Sequence, residues 1–173
     1  MPNVIHLKLS LKSVNSTLSG FRAFTNHQET IKREFVKESL SYIERKARAN
    51  IQATTGGSSW YEPTGTLENS WVLSDVTGIL ENTCWYAALV EYGTGIAGNG
   101  THPKPGDYRY DANGHGEKGW YFYDDQGRLH WTKGMKAHRF LYDAINDYIL
   151  SGEYRRIFKK ITQRYIDKDL MRK

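Results

Sequence analysis

The sequence contains a single cysteine, and this scarcity excludes several kinds of site. Cys84 has no second cysteine with which to form an internal disulfide or a cysteine-based zinc site. We therefore expect a buried thiol in a protein made in a reducing compartment. Long apolar runs are missing as well. The N-terminal MPNVIHLKLSLK alternates apolar and polar residues, which predicts neither a signal peptide nor a membrane span.

Outside its C-terminal part the chain carries almost no net charge. The 173 residues carry a formal net charge of +5. Residues 133–173 contain eleven Lys and Arg against five Asp and Glu, so the remainder is close to neutral. A basic segment of this kind either faces phosphates or forms a solvated helix face. The candidate DNA-facing residues are Arg155, Arg156, Lys159 and Lys160.

Enzyme motifs are also missing, with one partial exception. Residues 93–98, GTGIAG, match the letters of the dinucleotide-binding GxGxxG, which must link a strand to a helix. Pro103 and Pro105 follow this segment, so no such helix is predicted. The histidines of the polar region fit no metal-ligand spacing and are expected to be exposed; they are His102, His115, His130 and His138. We predict no catalytic residue, no metal and no cofactor.

Apolar spacing in the first half of the chain predicts a strand, a long helix and a hairpin. Residues 5–11 alternate as a half-buried strand does, and residues 13–25 are predicted to be a connection. The apolar positions from about Glu29 to Ile51 follow a helical period. Residues 71–80 predict two short strands joined by a tight turn at Thr77-Gly78.

The second half is predicted to contain a short helix, a second hairpin and two helices. Residues 85–92 form the short helix, which Gly93 ends. Aromatic strands flank a turn at residues 124–127, and helices follow from Phe140 and from Tyr154. Because strands and helices do not alternate regularly, the predicted class is α+β, with a small mixed or antiparallel sheet, a long N-terminal helix and C-terminal helices. We expect one domain.

An insertion at about residues 95–135 is predicted to combine a flexible loop with the aromatic hairpin. Its first part is rich in glycine and has few apolar anchors. In the hairpin, Trp120 and Phe122 point to one side and Tyr121 and Tyr123 to the other. One face is expected to cover the core of the subunit, and the other to meet a second protein. The candidate interface residues are Trp120, Tyr121, Tyr123 and Trp131.

Four short motifs occur in a specific order along the chain. They are TGTLENS at 64–70, YA at 86–87, EYGT at 91–94 and FL at 140–141. This order resembles the HK-ninety-seven gene-ten-like family of tailed-phage tail components, which shows TGxLxxS, a hairpin, YAxxVExGT, a variable loop and an aromatic-leucine helix start. The chain departs from that pattern in its long insertion and in Tyr142-Asp143, where the family often has Arg-Pro. The matching positions, expected to be structural, are Gly65, Leu67, Ser70, Tyr86, Ala87, Glu91, Gly93, Thr94, Phe140 and Leu141.

The resemblance implies a non-enzymatic virion protein of a tailed phage or prophage, made in the cytoplasm of the bacterial host. It implies a homo-oligomeric ring, a hexamer, at the head-tail junction, as a neck or tail-completion protein. Its partners would be adjacent neck, connector or tail-tube proteins, with DNA passing nearby without specific binding and with no membrane contact. Two alternatives remain open. They are a basic nucleic-acid-binding module and a metal-dependent nuclease or hydrolase that uses the loop histidines.

Overall fold

Seven helices and two antiparallel hairpins make up the part of the chain that the structure describes. This computed structural model describes residues 11–54, 64–109, 118–124 and 126–169. The helices are α1 (Leu11–Asn26), α2 (Gln28–Thr54), α3 (Thr66–Asn69), α4 (Ala87–Tyr92), α5 (Gly95–Gly98), α6 (Phe140–Leu150) and α7 (Glu153–Asp169). The strands are β1 (Trp71–Ser74), β2 (Ile79–Asn82), β3 (Trp120–Tyr123) and β4 (Leu129–Thr132). The predicted α+β class is confirmed.

The long helix α2 is the element on which most others pack. Helices α1, α6 and α7, the short α3 and the β1–β2 hairpin all contact it. Its apolar positions fall on one side at helical spacing, as the sequence predicts, and Ile31, Ala47 and Ile51 are buried. Within the described ranges every helix is too short or too polar to span a lipid bilayer.

Two apolar clusters hold the helices together, one near each end of α2. Burying a large apolar side chain contributes about 1.5–3 kcal/mol, so each cluster stabilises the packing around α2. The first contains Ala47, Ile51, Leu67, Cys84, Ala87, Phe140 and Ala144. The second contains Ile31, Ile161 and Tyr165, with Phe24, Phe35 and Ile157 packed against it. The buried thiol of Cys84 is confirmed, and the motif positions Leu67, Ala87 and Phe140 belong to the first cluster.

Each hairpin forms a separate two-stranded sheet. In the first, Trp71 pairs with Asn82 and Ser74 with Ile79. In the second, Trp120 pairs with Thr132 and Tyr123 with Leu129. Both hairpins and their turns were predicted from the sequence and are confirmed.

The structure corrects two predictions about local structure. Residues 13–25, predicted as a connection, belong to α1, because packing against α7 and α2 outweighs the weak helix propensity of Ser and Asn. The predicted strand at 5–11 lies outside the described residues except for Leu11, which begins α1. Residues 95–98, where no helix was predicted, form the single turn α5. The prolines do not prevent this turn because they come only after it has ended.

Candidate functional site

The carboxylate of Glu91 lies at the start of helix α6. Glu91 is only 6% exposed. Its Oε2 accepts a hydrogen bond from the Leu141 amide and its Oε1 accepts one from the Tyr142 amide, each at 2.9 Å. Amides in the first turn of a helix have no partner within the helix, and the helix dipole favours a negative charge there. Glu91, a residue of α4, therefore caps α6.

His102 supports this cap from the glycine-rich segment. It is 5% exposed, and its Nε2 lies 3.3 Å from Glu91 Oε1. The amide of Lys104 donates to Nδ1 at 3.1 Å. Because Nδ1 accepts, the proton of the neutral ring is on Nε2, which donates to Glu91. The rings of Tyr92 and Tyr142 enclose the imidazole, with centroids at 4.6 and 5.1 Å.

The prediction that the histidines are exposed is therefore wrong for most of them. His102 is buried because it pairs with Glu91, and His130 is half-buried because it lies 2.8 Å from Asp124 Oδ2. Burial lowers the pKa of His138. His115 lies outside the described residues. Nowhere in the described ranges do three or more His, Cys, Asp or Glu side chains gather as a metal site requires.

The glycines of the GTGIAG segment allow close contact between two parts of the backbone. Gly93 has φ 84° and ψ 174°, a conformation that is essentially restricted to glycine. A β-carbon at this position would lie 2.7 Å from the Met135 oxygen and the Ala137 nitrogen, and one at Gly95 would lie 2.6 Å from the Lys133 oxygen. The partial dinucleotide motif is thus explained by packing against residues 133–137 of the same chain.

Backbone hydrogen bonds join the same two parts of the chain. Thr94 and Met135 each donate to the other's carbonyl, at 2.8 and 3.1 Å, and Ala97 donates to Lys133 at 3.0 Å. Next to them, the amides of His138 and Arg139 donate to the carbonyls of Val90 and Glu91. These bonds fix the chain that leaves the second hairpin against α4 and α5.

Residues 101–109 are also anchored, although this segment has few aliphatic side chains. The Thr101 hydroxyl accepts from the Ala137 amide at 2.9 Å. Tyr108 stacks on Tyr92, with centroids 4.8 Å apart, and its hydroxyl donates to the Gly93 carbonyl at 3.0 Å. The sequence did not indicate these contacts because the anchors are polar and aromatic side chains rather than aliphatic ones. The predicted flexibility of residues 110–117 lies outside the described residues.

The aromatic hairpin exposes one of its two faces. The exposed fractions are 66% for Tyr121, 71% for Tyr123, 54% for Leu129 and 50% for Trp131. Tyr121 and Trp131 are directly opposite each other, and their ring centroids are 4.7 Å apart. We call these four side chains the aromatic face.

The inner face of this hairpin differs from the prediction. Trp120 points inward, as expected, but it belongs to neither apolar cluster. Its ring instead packs on the glycine segment, with Cζ3 2.9 Å from the place that a β-carbon on Gly95 would occupy. A glycine at 95 therefore accommodates the indole. Trp120 therefore holds the hairpin on the segment below.

The turn of the hairpin is organised by Asp124. Its Oδ1 accepts from the Gln126 and Arg128 amides at 2.9 and 2.8 Å. Its Oδ2 lies 2.8 Å from His130 Nε2 and accepts from Arg128 Nε at 2.7 Å. The hydrogen bond from His130, followed by those from Arg128, holds the pKa of Asp124 well below its usual range. The turn therefore depends on an ionised carboxylate.

The four candidate DNA-facing residues are all exposed on α7. They lie on the side of the helix opposite the buried Ile161 and Tyr165. The Arg155 Nε donates to the Tyr154 hydroxyl, and Arg156 pairs with Glu153. Lys159 and Lys160 have no ion-pair partner among the described residues. The structure thus brings these cations together on one solvent-facing surface.

The exposure of one aromatic side chain, Trp85, was not predicted from the sequence. Trp85 is 83% exposed, just before α4, although the surrounding apolar residues predict a helix that packs inward.

Comparison with protein-family models, with curated proteins and with solved structures finds no match for this chain. Function is therefore inferred from the residues and their geometry.

Proposed function

We propose that this protein is a non-enzymatic structural component of a tailed phage or prophage particle, forming a homo-oligomeric ring, a hexamer, at the head-tail junction. The observation that supports this most is the aromatic face of β3–β4. Exposed Tyr and Trp side chains are enriched at protein interfaces, where they bury a large area at low entropic cost. Two of the four side chains, Tyr121 and Trp131, already contact each other and so present a preformed surface.

The positions that carry the family resemblance support the proposal in a second way. Glu91 caps α6, and Gly93 and Thr94 join the backbone that leaves the hairpin. These contacts hold the aromatic face in one orientation relative to the helices. A surface with a fixed orientation is what a closed ring requires, because each subunit must add with the same rotation.

The proposed position in the particle gives the basic surface of α7 a role. Arg155, Arg156, Lys159 and Lys160 would line or border the channel through which DNA passes. Their field favours the presence of DNA, but tight binding to many phosphates would slow its exit. Adjacent neck, connector or tail-tube proteins would contact the ring above and below.

Replacing Tyr121 and Tyr123 together with Ser tests the proposal. We expect the double variant to fold with unchanged thermal stability, because both side chains are exposed, and to lose ring formation. Interface aromatics of this kind commonly contribute about 2 kcal/mol or more on truncation. The measurements are sedimentation velocity of the purified protein and the yield of tailed particles in a phage complementation assay.

A matched control removes exposed apolar surface elsewhere. Leu18 and Phe21 on α1 are 50% and 53% exposed. The double variant Leu18→Ser with Phe21→Ser should assemble normally. If the double Tyr variant also produces normal tailed particles, the aromatic face is not the interface and the proposal loses its main support.

The alternative with an observation in its favour is a basic nucleic-acid-binding module. Arg155, Arg156, Lys159 and Lys160 are exposed on one surface of α7. The half-buried ring of Tyr154 lies next to them under the Arg155 guanidinium, and such cation-aromatic pairs can contact a base. Sub-micromolar, salt-sensitive affinity for a short duplex, with no self-association, would make this the better description.

A further inference from the structure

The first hairpin carries a second exposed face, and it contains an acidic side chain. In the register of β1–β2, Val72 is opposite Glu81 and Ser74 is opposite Ile79, so these four side chains share one face. Val72 and Ile79 are 53% and 52% exposed, and Glu81 is exposed beside them. The other face of this hairpin turns toward α2 and the first apolar cluster through Trp71. We call the first set the acidic face.

The stretch of sequence that contains the acidic face has no positively charged side chain. Between Arg48 and Lys104 the chain has no Lys or Arg. Asp75, at the turn of this hairpin, is paired with Arg33 of α2 at 3.2 Å. Glu81 has no ion-pair partner among the described residues. An apolar strip with an uncompensated carboxylate is therefore open to solvent.

The aromatic face has the opposite charge at its border. Lys118 precedes β3 and Lys133 follows β4, so both lie at the end of the hairpin that is farther from its turn. Both are exposed, and neither has an ion-pair partner in the described part of the chain. The one acidic residue described in this hairpin, Asp124, is already paired with Arg128 and His130.

We propose that these two faces bind each other in neighbouring subunits. The aromatic face of one copy covers Val72 and Ile79 of the next, and Lys118 and Lys133 approach Glu81. Both faces are exposed, so they do not cover one another within a subunit. A second copy fits better than another partner because the chain itself supplies two different apolar strips with complementary charge.

This pairing explains how one chain can form a ring. Contact between two different patches of the same protein is heterologous, and it continues from subunit to subunit until the rotation closes. The inference rests on the proposed function and adds which two surfaces meet. It also predicts that every subunit uses its β3–β4 hairpin to bind one neighbour and its β1–β2 hairpin, the acceptor, to bind the other. Substitutions in one hairpin should therefore abolish one of the two contacts and leave the other intact.

A mixing experiment tests the pairing directly. One variant carries Tyr121→Ser with Tyr123→Ser, and the other carries Val72→Ser with Ile79→Ser. Each alone should be monomeric in sedimentation equilibrium, while both should keep the circular dichroism spectrum of the wild type. Mixed together, they should form a dimer and nothing larger, since each mixed pair keeps one intact interface. A mixture that stays monomeric, or a Val72/Ile79 variant that still forms complete rings, would overturn the pairing.

Charge exchange provides a second test with milder substitutions. Glu81→Lys alone and Lys133→Glu alone should each weaken self-association about tenfold or more, since like charges then oppose each other across the interface. The double variant should recover most of the loss. Glu38→Lys, an exposed acidic position on α2, is the matched control and should change nothing. Strictly additive losses in the double variant would contradict the contact.

The outcomes separate this inference from the proposed function. If the wild-type protein forms rings and the Val72/Ile79 variant does so too, the ring stands and the acidic face is not its acceptor. If the wild-type protein stays monomeric at high concentration and is absent from purified particles, both proposals fail.

Discussion

Glu91 joins three parts of the chain through one buried carboxylate: its own helix α4, the first turn of α6 and the imidazole of His102. Glutamine at this position keeps the size but replaces one acceptor oxygen with an NH₂ group, which would face an amide donor. Glu91→Gln should therefore lower the free energy of unfolding by about 1.5–3 kcal/mol, the range for hydrogen bonds to a charged group. Urea denaturation followed by circular dichroism measures this change.

The control for this substitution is Glu38→Gln at an exposed position of α2. It should change the free energy of unfolding by less than about 0.5 kcal/mol. An equal urea midpoint for Glu91→Gln and the wild type would mean that the cap contributes nothing to stability.

An added methyl group at Gly93 should be costly. Its φ of 84° disfavours any residue other than glycine. In addition, a β-carbon would lie too close to the Met135 carbonyl oxygen and the Ala137 amide nitrogen. Gly100 also has a positive φ, 70°, but no atom within 4 Å of the added carbon. We expect Gly100→Ala to cost about 1 kcal/mol from its backbone conformation alone, and Gly93→Ala to cost about 2 kcal/mol more. Thermal unfolding of the two variants compares them, and equal losses would remove the proposed role of close packing.

The hairpin β3–β4 depends on pH through the carboxylate in its turn. The folded-state pKa of Asp124 is lowered from 3.8, so its ionised form stabilises the hairpin fully above about pH 4. This stabilisation is lost as the pH falls below that value toward the folded-state pKa. The stability difference between the wild type and Asp124→Asn should therefore narrow between about pH 4 and pH 2. Denaturant titrations followed by tryptophan fluorescence at several pH values would measure this narrowing. A stability difference that stays constant with pH would show that the Asp124 carboxylate does not stabilise the hairpin.

The elements with a strong local pattern were predictable from the sequence, and those fixed by distant contacts were not. The long helix α2 has a sustained helical period, and both hairpins have turn residues between short strands. Helix α1 and the turn α5 lack such patterns, since α1 is stabilised by α7 and α5 by residues 133–135. The alternation of the aromatic face was predictable from strand geometry. The pairing of His102 with Glu91 was not, because eleven positions separate two polar residues whose burial depends on α6.

The basic surface of α7 should be dispensable for folding and for the proposed ring formation. Changing its four cations to Gln removes charge only from exposed positions, on the side opposite Ile161 and Tyr165. Residual DNA affinity should fall, and the slope of log K against log salt should decrease by about 0.9 for each phosphate that the protein no longer neutralises. Fluorescence anisotropy with a short duplex at several salt concentrations provides the measurement. Tight, sequence-selective binding by the wild type would favour the nucleic-acid-binding alternative.

Thr94 and Met135 are 41 positions apart, yet their backbones are paired, so the chain leaves the helical body and returns to it at one place. A segment whose two ends are clamped side by side can change length at a cost of only about 0.6 kcal/mol per doubling. We therefore expect that the block between Tyr108 and Lys133 can be exchanged without loss of the fold. Replacing it would give the same subunit a different contact surface while the Glu91 cap, the GTGIAG segment and the two apolar clusters stay as they are.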